Sequence, residues 1–397
     1  MSEWMSAEQA ALRLGVKAAT LYAYVSRGTL TRRKADGRSV FNRAEIEELA
    51  RRGRPRRQAG TTELVIESAV TMLGADRHYY RGRDAVGLAA TWRLEEAATW
   101  LWTGAEAGAP EVWETAPDAL AAAREAQRGL SPEVLPLERL QVIVTALAVA
   151  DPVRYNLEPA AVAQTGKGLM AGMVDALPSE ASPDGRDRGL HARLWRKLSG
   201  AGAGERLADV LRFALVLLAD HELAASTLAA RVAASVRADP YAVVTTGLGT
   251  TSGALHGGAS LGVESLLAEV AEPGRAAPAM GERLRRGERI AGFGHVVYRA
   301  GDGRGDALLE RVRQAVPGHP RLAVADAVLD EARRRALPAM NIDFPLGLLT
   351  HLAGMPRGAG EAIFGIARTA GWLAHAMEEY AKPTRLRLRA AYTGPLE

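Results

Sequence analysis

Residues 206–236 read RLADVLRFALVLLADHELAASTLAARVAASV. The stretch is apolar nearly all round and has few helix breakers, as expected of a helix buried in a large core. Leu137–Ala150 is a second long apolar-rich stretch of the same kind. Strand-like alternation is scarce over the same part of the chain. Loops are marked by the breaker-rich segments Pro178–Gly189, Pro273–Gly281 and Pro317–Pro320. These patterns predict an all-α fold for everything beyond about residue 62. No internal repeat is evident. Gly247-Leu248-Gly249 follows no strand and is not read as a nucleotide loop.

Bulk composition narrows the function. A chain of 397 residues can build two or three domains with a large core. Apolar residues make up 48%, which excludes a disordered chain. Without cysteine, neither disulfides nor a cysteine-based metal site can form. No apolar run approaches the roughly 20 residues of a membrane span, and the N-terminus lacks the apolar core of a signal peptide. A soluble cytoplasmic protein with no membrane partner is expected. No His/Asp/Glu set has convincing metal-ligand spacing, so metal-free chemistry is expected.

Charge is uneven along the chain. Residues 1–60 hold 13 Lys/Arg against 6 Asp/Glu, a net of +7, while the remainder holds 37 against 40, a net of −3. A basic head on a near-neutral body points to an anionic partner for the head. A folded pattern underlies that charge. Ser6 with Gln9 makes a capping box for a helix carrying Ala10, Ala11 and Leu14, which Gly15 ends. Lys17–Val25 reads as a second helix with Leu21 and Val25 on one face, ended by Gly28. Thr31–Phe41 reads as a short hairpin turning at Asp36-Gly37, and Ala44–Arg52 returns to helix.

Helix, tight turn, helix, small wing and helix together resemble the winged helix-turn-helix of the MerR and excisionase type. The resemblance is carried by Ser6–Leu30. It implies a second helix that enters the major groove of duplex DNA and a wing that touches the backbone. Lys17, Thr20, Tyr22 and Tyr24 would lie on or near that helix, with Arg32, Arg33, Lys34 and Arg38 on the wing. Such cations neutralise phosphates without specifying sequence. The domain is expected to span 1–53, with a basic, helix-breaking linker at 54–62.

Chemistry is concentrated in the body. Leu255-His256-Gly257-Gly258, Gly292-Phe293-Gly294-His295 and Asn341-Ile342-Asp343-Phe344 each set an acid–base group beside small or turn-forming residues. One carboxylate and two imidazoles suffice to take a proton from carbon and deliver one to oxygen. Further runs are Tyr80-Arg81-Gly82-Arg83-Asp84, Asp220-His221-Glu222-Leu223 with Ala225-Ser226-Thr227, His295-Val296-Val297-Tyr298-Arg299, and Arg387 to Tyr392-Thr393-Gly394. In order and spacing, from about Thr62 to the C-terminus, they resemble citrate synthase and 2-methylcitrate synthase.

That resemblance implies a large helical domain, 63–256 and 349–397, and a small one, 257–348. The implied reaction condenses acetyl-CoA, or alternatively propionyl-CoA, with oxaloacetate, with no permanently bound cofactor. Asp343 would be the base, His256 would hydrogen-bond the thioester oxygen as the enol forms, and His295 would act as acid toward the ketone. His221, Arg304, Arg368 and Arg387 would hold the oxo-acid, guanidinium being suited to two-point binding of carboxylate. Arg387 would reach in from the partner of a homodimer with composite sites. Arg299 and Arg335 would serve the CoA phosphates. His78, His191, His319, His351 and His375 receive no functional reading.

Several positions depart from the family pattern. Ala224 stands where the family usually has Asn, Gly303 where the mobile-loop proline would be, and Pro345-Leu346 where Tyr-Ser is frequent. Arg387-Leu388-Arg389 lacks an intervening proline. Gly303 is expected to loosen its turn. The leading reading is a working condensing enzyme. The alternatives are a DNA-binding metabolite sensor built on the same body and, weakest, a purely structural dimer module.

Overall fold

A computed structural model describes residues 4–14, 16, 18–26, 28–35, 37–51, 66–179, 188–200, 204–299 and 301–387. The chain divides into two compact units, Met1–Glu67 and Ser68–Glu397.

In the first unit, helices Ala7–Leu14, Ala18–Ser26 and Arg43–Arg51 stand where the sequence placed them, within a residue or two. The capping box forms: Ser6 Oγ accepts the Gln9 N–H at 3.2 Å, and Gln9 Oε1 accepts the Ser6 N–H at 3.1 Å. The hairpin strands are Arg32–Ala35 and Arg38–Asn42. A third strand, Trp4–Ser6, pairs antiparallel with Arg38–Asn42 in the register Met5↔Phe41. Its three residues are too few to show alternation in a sequence. Met5, Ala10, Leu21, Tyr24, Leu30, Phe41 and Ile46 form the core of the unit. A bidentate Arg13–Glu47 pair, at 2.9 and 2.6 Å, ties the first helix to the third. Gly15, Lys17, Asp36, the side chain of Arg38 and the 54–62 linker lie outside the described residues.

The second unit is mostly helix around one apolar core. At its centre runs Ala359–Tyr380, 22 residues and about 33 Å long at 1.5 Å per residue, buried on almost every side. Gly247, the first glycine of the cluster noted above, lies within the Pro240–Thr251 helix. A Cβ there would meet the Trp372 indole at 2.5 Å, so this glycine serves close packing.

The Arg206–Val236 stretch is not one helix. It divides into Glu205–Leu218 and Ala225–Ser235. Glu222 in the break has φ +51°, and Asp220 accepts the Glu222 N–H at 3.2 Å. A helix end leaves carbonyls without partners, and a buried end needs substitutes. Tyr80 donates its hydroxyl to the Val216 and Leu217 carbonyls at 2.8 and 3.1 Å. Arg368 Nε donates to the Leu218 carbonyl at 2.8 Å, a cation at the negative end of the helix. Apolar periodicity could not show this break, because its cause is long-range.

One more expectation is corrected. Pro273–Gly281 is not a loop: a 3-10 turn, Pro273–Arg275, leads into the helix Ala276–Arg285. The body also holds a small antiparallel sheet, Thr71–Leu73, His78–Tyr80 and Arg83–Asp84. Of the Pro178–Gly189 loop only the ends are described, and residues 388–397, with Leu388, Arg389, Tyr392, Thr393 and Gly394, lie outside. Among the described residues no helix is long and apolar enough to cross a membrane.

Candidate active site

Short backbone tethers join the segment around His295 to the start of the Asp343–Leu352 helix. Gly294 N donates to Ala339 O at 2.7 Å, Asn341 N to Gly292 O at 2.9 Å, and the Asn341 side-chain amide to Gly294 O at 2.8 Å. Gly292 and Gly294 have φ +84° and +87°, which side-chain-bearing residues rarely adopt. A Cβ on Gly292 would sit 2.9 Å from that of Phe344. These glycines let the two segments touch.

Asp343 opens its helix, and its backbone N–H donates to Asn341 Oδ1 at 3.0 Å. Burial pushes its carboxyl up to about 7, against the pull of Arg304. Pro345 falls in the first turn, where a missing N–H breaks no helical hydrogen bond. Leu346 beside it is fully buried.

Arg304 is buried and held by Asp302 through Nε at 2.9 Å and Nη2 at 2.8 Å. Burial alone would raise Asp302, but the Arg304 charge holds it below the usual carboxylate range. Asp302 also caps the helix Gly303–Ala315 and accepts the Ile342 N–H at 3.1 Å, next to Asp343. Gly303 is not a loose hinge. Its N–H donates to Asp76 O at 2.8 Å, and a Cβ would lie 2.5 Å from that oxygen. Proline at this position would lose the hydrogen bond and collide.

Three aromatic contacts cluster the imidazoles. His295 stacks on Tyr298 at 4.9 Å between ring centroids, and His221 packs edge-on to His295 at 5.4 Å. His221 Nε2 meets the Tyr298 hydroxyl at 3.0 Å. His295 Nδ1 accepts the N–H groups of Val297 and Tyr298 at 3.1 and 3.2 Å. A neutral His295 therefore carries its proton on Nε2, and Nε2 lies 3.5 Å from Arg304 Nη2. Burial and Arg304 lower His295, and burial lowers His221 well below the ordinary histidine value. Both imidazoles are neutral near pH 7.

His256 Nε2 lies 2.7 Å from Ser226 Oγ, and its ring meets Phe364 edge-on at 5.7 Å. Burial, then the charge of Arg368, lowers it to about 4. Arg368 lies over Phe364, 4.5 Å from the ring centroid, and burial lowers it to about 10.

His221, His256, His295, Asp343, Arg304 and Arg368 are thus linked by contacts or by the electrostatic influence of the two arginines. Three other expected residues are placed elsewhere. Arg387 is exposed at the last described position. Arg299 is exposed. Arg335 is engaged by Glu331 at 2.5 Å and by the Ala277 carbonyl at 3.1 Å.

Sequence reasoning missed several supports. Tyr298 stands inside a quoted run without a role, and Asp302, next to Gly303, receives none. Ser226 contacts the His256 ring, and Asn341 accepts the Asp343 backbone N–H. His78 and His375 were set aside. His78 is fully buried 5.7 Å from the His221 ring, and His375 Nε2 pairs with Asp220 at 3.2 Å. An Asp or Tyr a few residues from a proposed catalytic group was the only available signal.

In the head, Tyr22 is exposed and Arg32 lies over its ring at 5.5 Å. Arg33 lies over Trp4 at 4.0 Å. Arg32, Arg33 and Lys34 are exposed on the wing strand, and Thr20 is half-buried. Tyr24 is a core residue, not a surface contact.

Comparison with known proteins decides the family. Residues 60–389 match the model described as citrate synthase, C-terminal domain.

The chain belongs to the citrate synthase family.

It is a condensing acyltransferase of that family. Residues 4–54 separately match a helix-turn-helix domain. Citrate synthase of Haloferax volcanii is 31% identical over 363 residues, covering 83% of this chain and 94% of that one. A 2-methylcitrate synthase of Mycobacterium tuberculosis is 30% identical over 342 residues, covering 79% and 84%. In fold, the chain is similar to a ternary complex of carboxymethyl coenzyme A and oxaloacetate with citrate synthase from Thermoplasma acidophilum. The TM-score is 0.70 at 22% identity, covering 85% and 95%.

Proposed function

We propose that this citrate synthase family member condenses acetyl-CoA with oxaloacetate, giving citrate and CoA, with Asp343 as base. The observation that carries the reading is a carboxylate raised to about 7 beside two neutral histidines and two buried arginines. A base near 7 is matched to work at neutral pH. The methyl proton of a thioester is barely acidic, so the enolate oxygen needs a donor as the proton leaves. His256 supplies it. Trp372 Nε1 donates to Ser226 Oγ at 3.3 Å, leaving the serine hydrogen for His256 Nε2 and the imidazole hydrogen on Nδ1. His295, protonated on Nε2, donates to the ketone oxygen as the enol carbon attacks. Arg304, Arg368 and His221 hold the oxo-acid. Hydrolysis of the citryl thioester completes turnover.

In this reading 63–256 with 349–397 form a large helical domain and 257–348 a small one that closes over the substrates. Arg387 completes the site of the other subunit in a homodimer, which accounts for its exposure in the single chain. Arg299 serves the CoA phosphates. The engagement of Arg335 by Glu331 makes it the weaker of the two candidates. The alternative acyl donor is propionyl-CoA.

A second reading concerns the head. Exposed Arg32, Arg33 and Lys34 on a wing beside a helix-turn-helix suit the phosphates of duplex DNA. DNA binding then accompanies catalysis.

The deciding experiment is CoA release, followed with a thiol-reactive dye, using oxaloacetate and either acetyl-CoA or propionyl-CoA. The protein has no cysteine to react with the dye. Turnover is expected, and the ratio of the two rates names the acyl donor. No turnover with either thioester would sink the reading.

A further inference from the structure

Arg231 lies in the helix Ala225–Ser235, is fully buried, and has no part in the chemistry derived so far. A buried guanidinium is costly unless its donors are met. Here they are met by the central helix. Arg231 Nε donates to Glu379 Oε1 at 2.8 Å, and Nη1 donates to Glu378 Oε2 at 2.7 Å. Nη2 donates to Glu379 as well. Nη1 also lies 2.6 Å from His375 Nδ1. The two carboxylates are held in turn: Glu378 accepts the Ala69 N–H at 2.8 Å, and Glu379 accepts Lys382 Nζ at 3.0 Å.

The contact with His375 fixes a tautomer. A guanidinium has donors and no acceptor, so His375 Nδ1 has to accept. The ring hydrogen is then on Nε2, which donates to Asp220 Oδ2 at 3.2 Å. The other tautomer would meet Arg231 hydrogen to hydrogen and turn a lone pair toward the carboxylate. Asp220 Oδ2 also accepts the Glu222 N–H at 3.2 Å. One carboxylate oxygen thus ties together the residues on either side of His221, and Glu222 is held at φ +51°. The central helix presses on Asp220 from behind: a Cβ on Gly371 would collide with Asp220 Oδ1. From this bracket the His221 ring meets the Tyr298 hydroxyl and the His295 ring.

We propose, on the reading that His221 holds the oxo-acid, that Arg231 and His375 are positioning residues for that substrate. They act through Asp220 on His221. Arg231 sets the His375 tautomer, His375 sets the Asp220 carboxylate, and Asp220 sets the backbone on both sides of His221. A group that holds substrate has to be fixed by its supports, because small displacements are costly in rate and affinity. His256 and Asp343 have other supports, Ser226 and Asn341. Loss of the His375 link therefore weakens the oxo-acid and spares the acyl-CoA.

The test is calorimetric titration of the full chain with oxaloacetate and, separately, with coenzyme A, which requires no turnover. The wild type should bind oxaloacetate saturably. His375→Leu should weaken oxaloacetate about tenfold, the scale of one charge-assisted hydrogen bond, and leave coenzyme A unchanged. His375→Gln, which keeps an N–H for Asp220, should recover most of that loss. Adding His375→Leu to His221→Ala should weaken oxaloacetate no further than His221→Ala alone, because the effect runs through that ring. In turnover, His375→Leu should raise KM for oxaloacetate by a larger factor than it lowers kcat. Nitrogen-15 spectra of the wild-type histidines should place the His375 hydrogen on Nε2, a result that needs no variant to fold. A hydrogen on Nδ1 overturns the proposal. So do equal weakening of both ligands, additive effects of the two changes, or no recovery with glutamine. Oxaloacetate affinity that His221→Ala leaves unchanged removes His221 from the oxo-acid and overturns it too. The expected binding pattern without CoA release would support the positioning role and sink only the condensing-enzyme reading.

Discussion

The two units use their charged residues in opposite ways. On the wing of the head, Arg32, Arg33 and Lys34 stand in solvent, two of them resting on aromatic faces. In the body, Arg304, Arg368, Asp302 and the imidazoles are buried or nearly so. Solvent leaves an exposed charge near its ordinary state, where it attracts anything of opposite sign and is weakened by salt. Burial instead moves proton affinities and fixes geometry. Asp343 is raised to about 7 and His256 lowered to about 4, three units apart in the opposite order to free Asp and His. The head thus has the means of association, and the body the means of chemistry.

The sharpest break in this contrast would come from Asp343→Ala. Turnover should fall by at least about a hundredfold, and up to about ten-thousandfold, because the base is gone. Circular dichroism should show the fold intact. Activity near the wild-type value would mean that the raised carboxylate is structural.

Arg304→Gln should act on stability as well as rate. It leaves Asp302 buried without its cation, which costs about 3–5 kcal/mol. Chemical denaturation should register this as a lower midpoint with an unchanged slope. The same substitution at exposed Arg32 should cost under about 0.5 kcal/mol. Equal costs at the two positions would erase the distinction between the units.

The pH dependence follows from the sign of the shifts. The base works ionised, so kcat/KM should rise about tenfold per unit up to about pH 7 and then level off. His256, lowered to about 4, adds no limb between pH 5 and 8. Because the Asp343 pKa is raised on folding, its ionisation costs stability. That cost is absent below about pH 4, grows between 4 and 7, and is complete above 7. Asp343→Asn should therefore be more stable than wild type by an amount that widens over that window. The gain should be on the order of 2 kcal/mol, less than the full shift implies because the carboxylate is partly open to solvent. A constant gap across pH 4–7 would contradict the raised pKa.

The mildest test concerns the head. Neutralising Arg32, Arg33 and Lys34 together should reduce the slope of log affinity against log salt for duplex DNA by about 3 and leave CoA release unchanged. No salt-dependent binding by the wild-type chain would remove the head from the comparison altogether.

The legible parts of the molecule were those whose information is local. Ser6 and Gln9 announce a helix start because their hydrogen bonds span three residues. The all-α body follows from apolar stretches such as Leu137–Ala150. His256, His295 and Asp343 stand out as candidates because each sits in a distinctive run. What stayed hidden was set by distant partners. The interruption at Asp220–Leu223 depends on Tyr80, Arg368 and His375, none of them near in sequence. Gly303 was read as slack for the same reason: the Asp76 carbonyl that pins it lies more than two hundred residues earlier. The departures at Pro345 and Leu346 have a simple physical answer, a tolerated first-turn proline and a buried leucine.

The capping of the Glu205–Leu218 helix by Tyr80 and Arg368 sets an order on the birth of the enzyme. A ribosome makes Tyr80 early and Arg368 late, and the loop bearing His221 has its full anchorage only when both have docked. Until Arg368 has emerged and docked, a nascent protein has most residues of the site but not its full frame. A thioester encountering such a chain meets separated side chains and survives, so activity begins in a single step once both caps are in place.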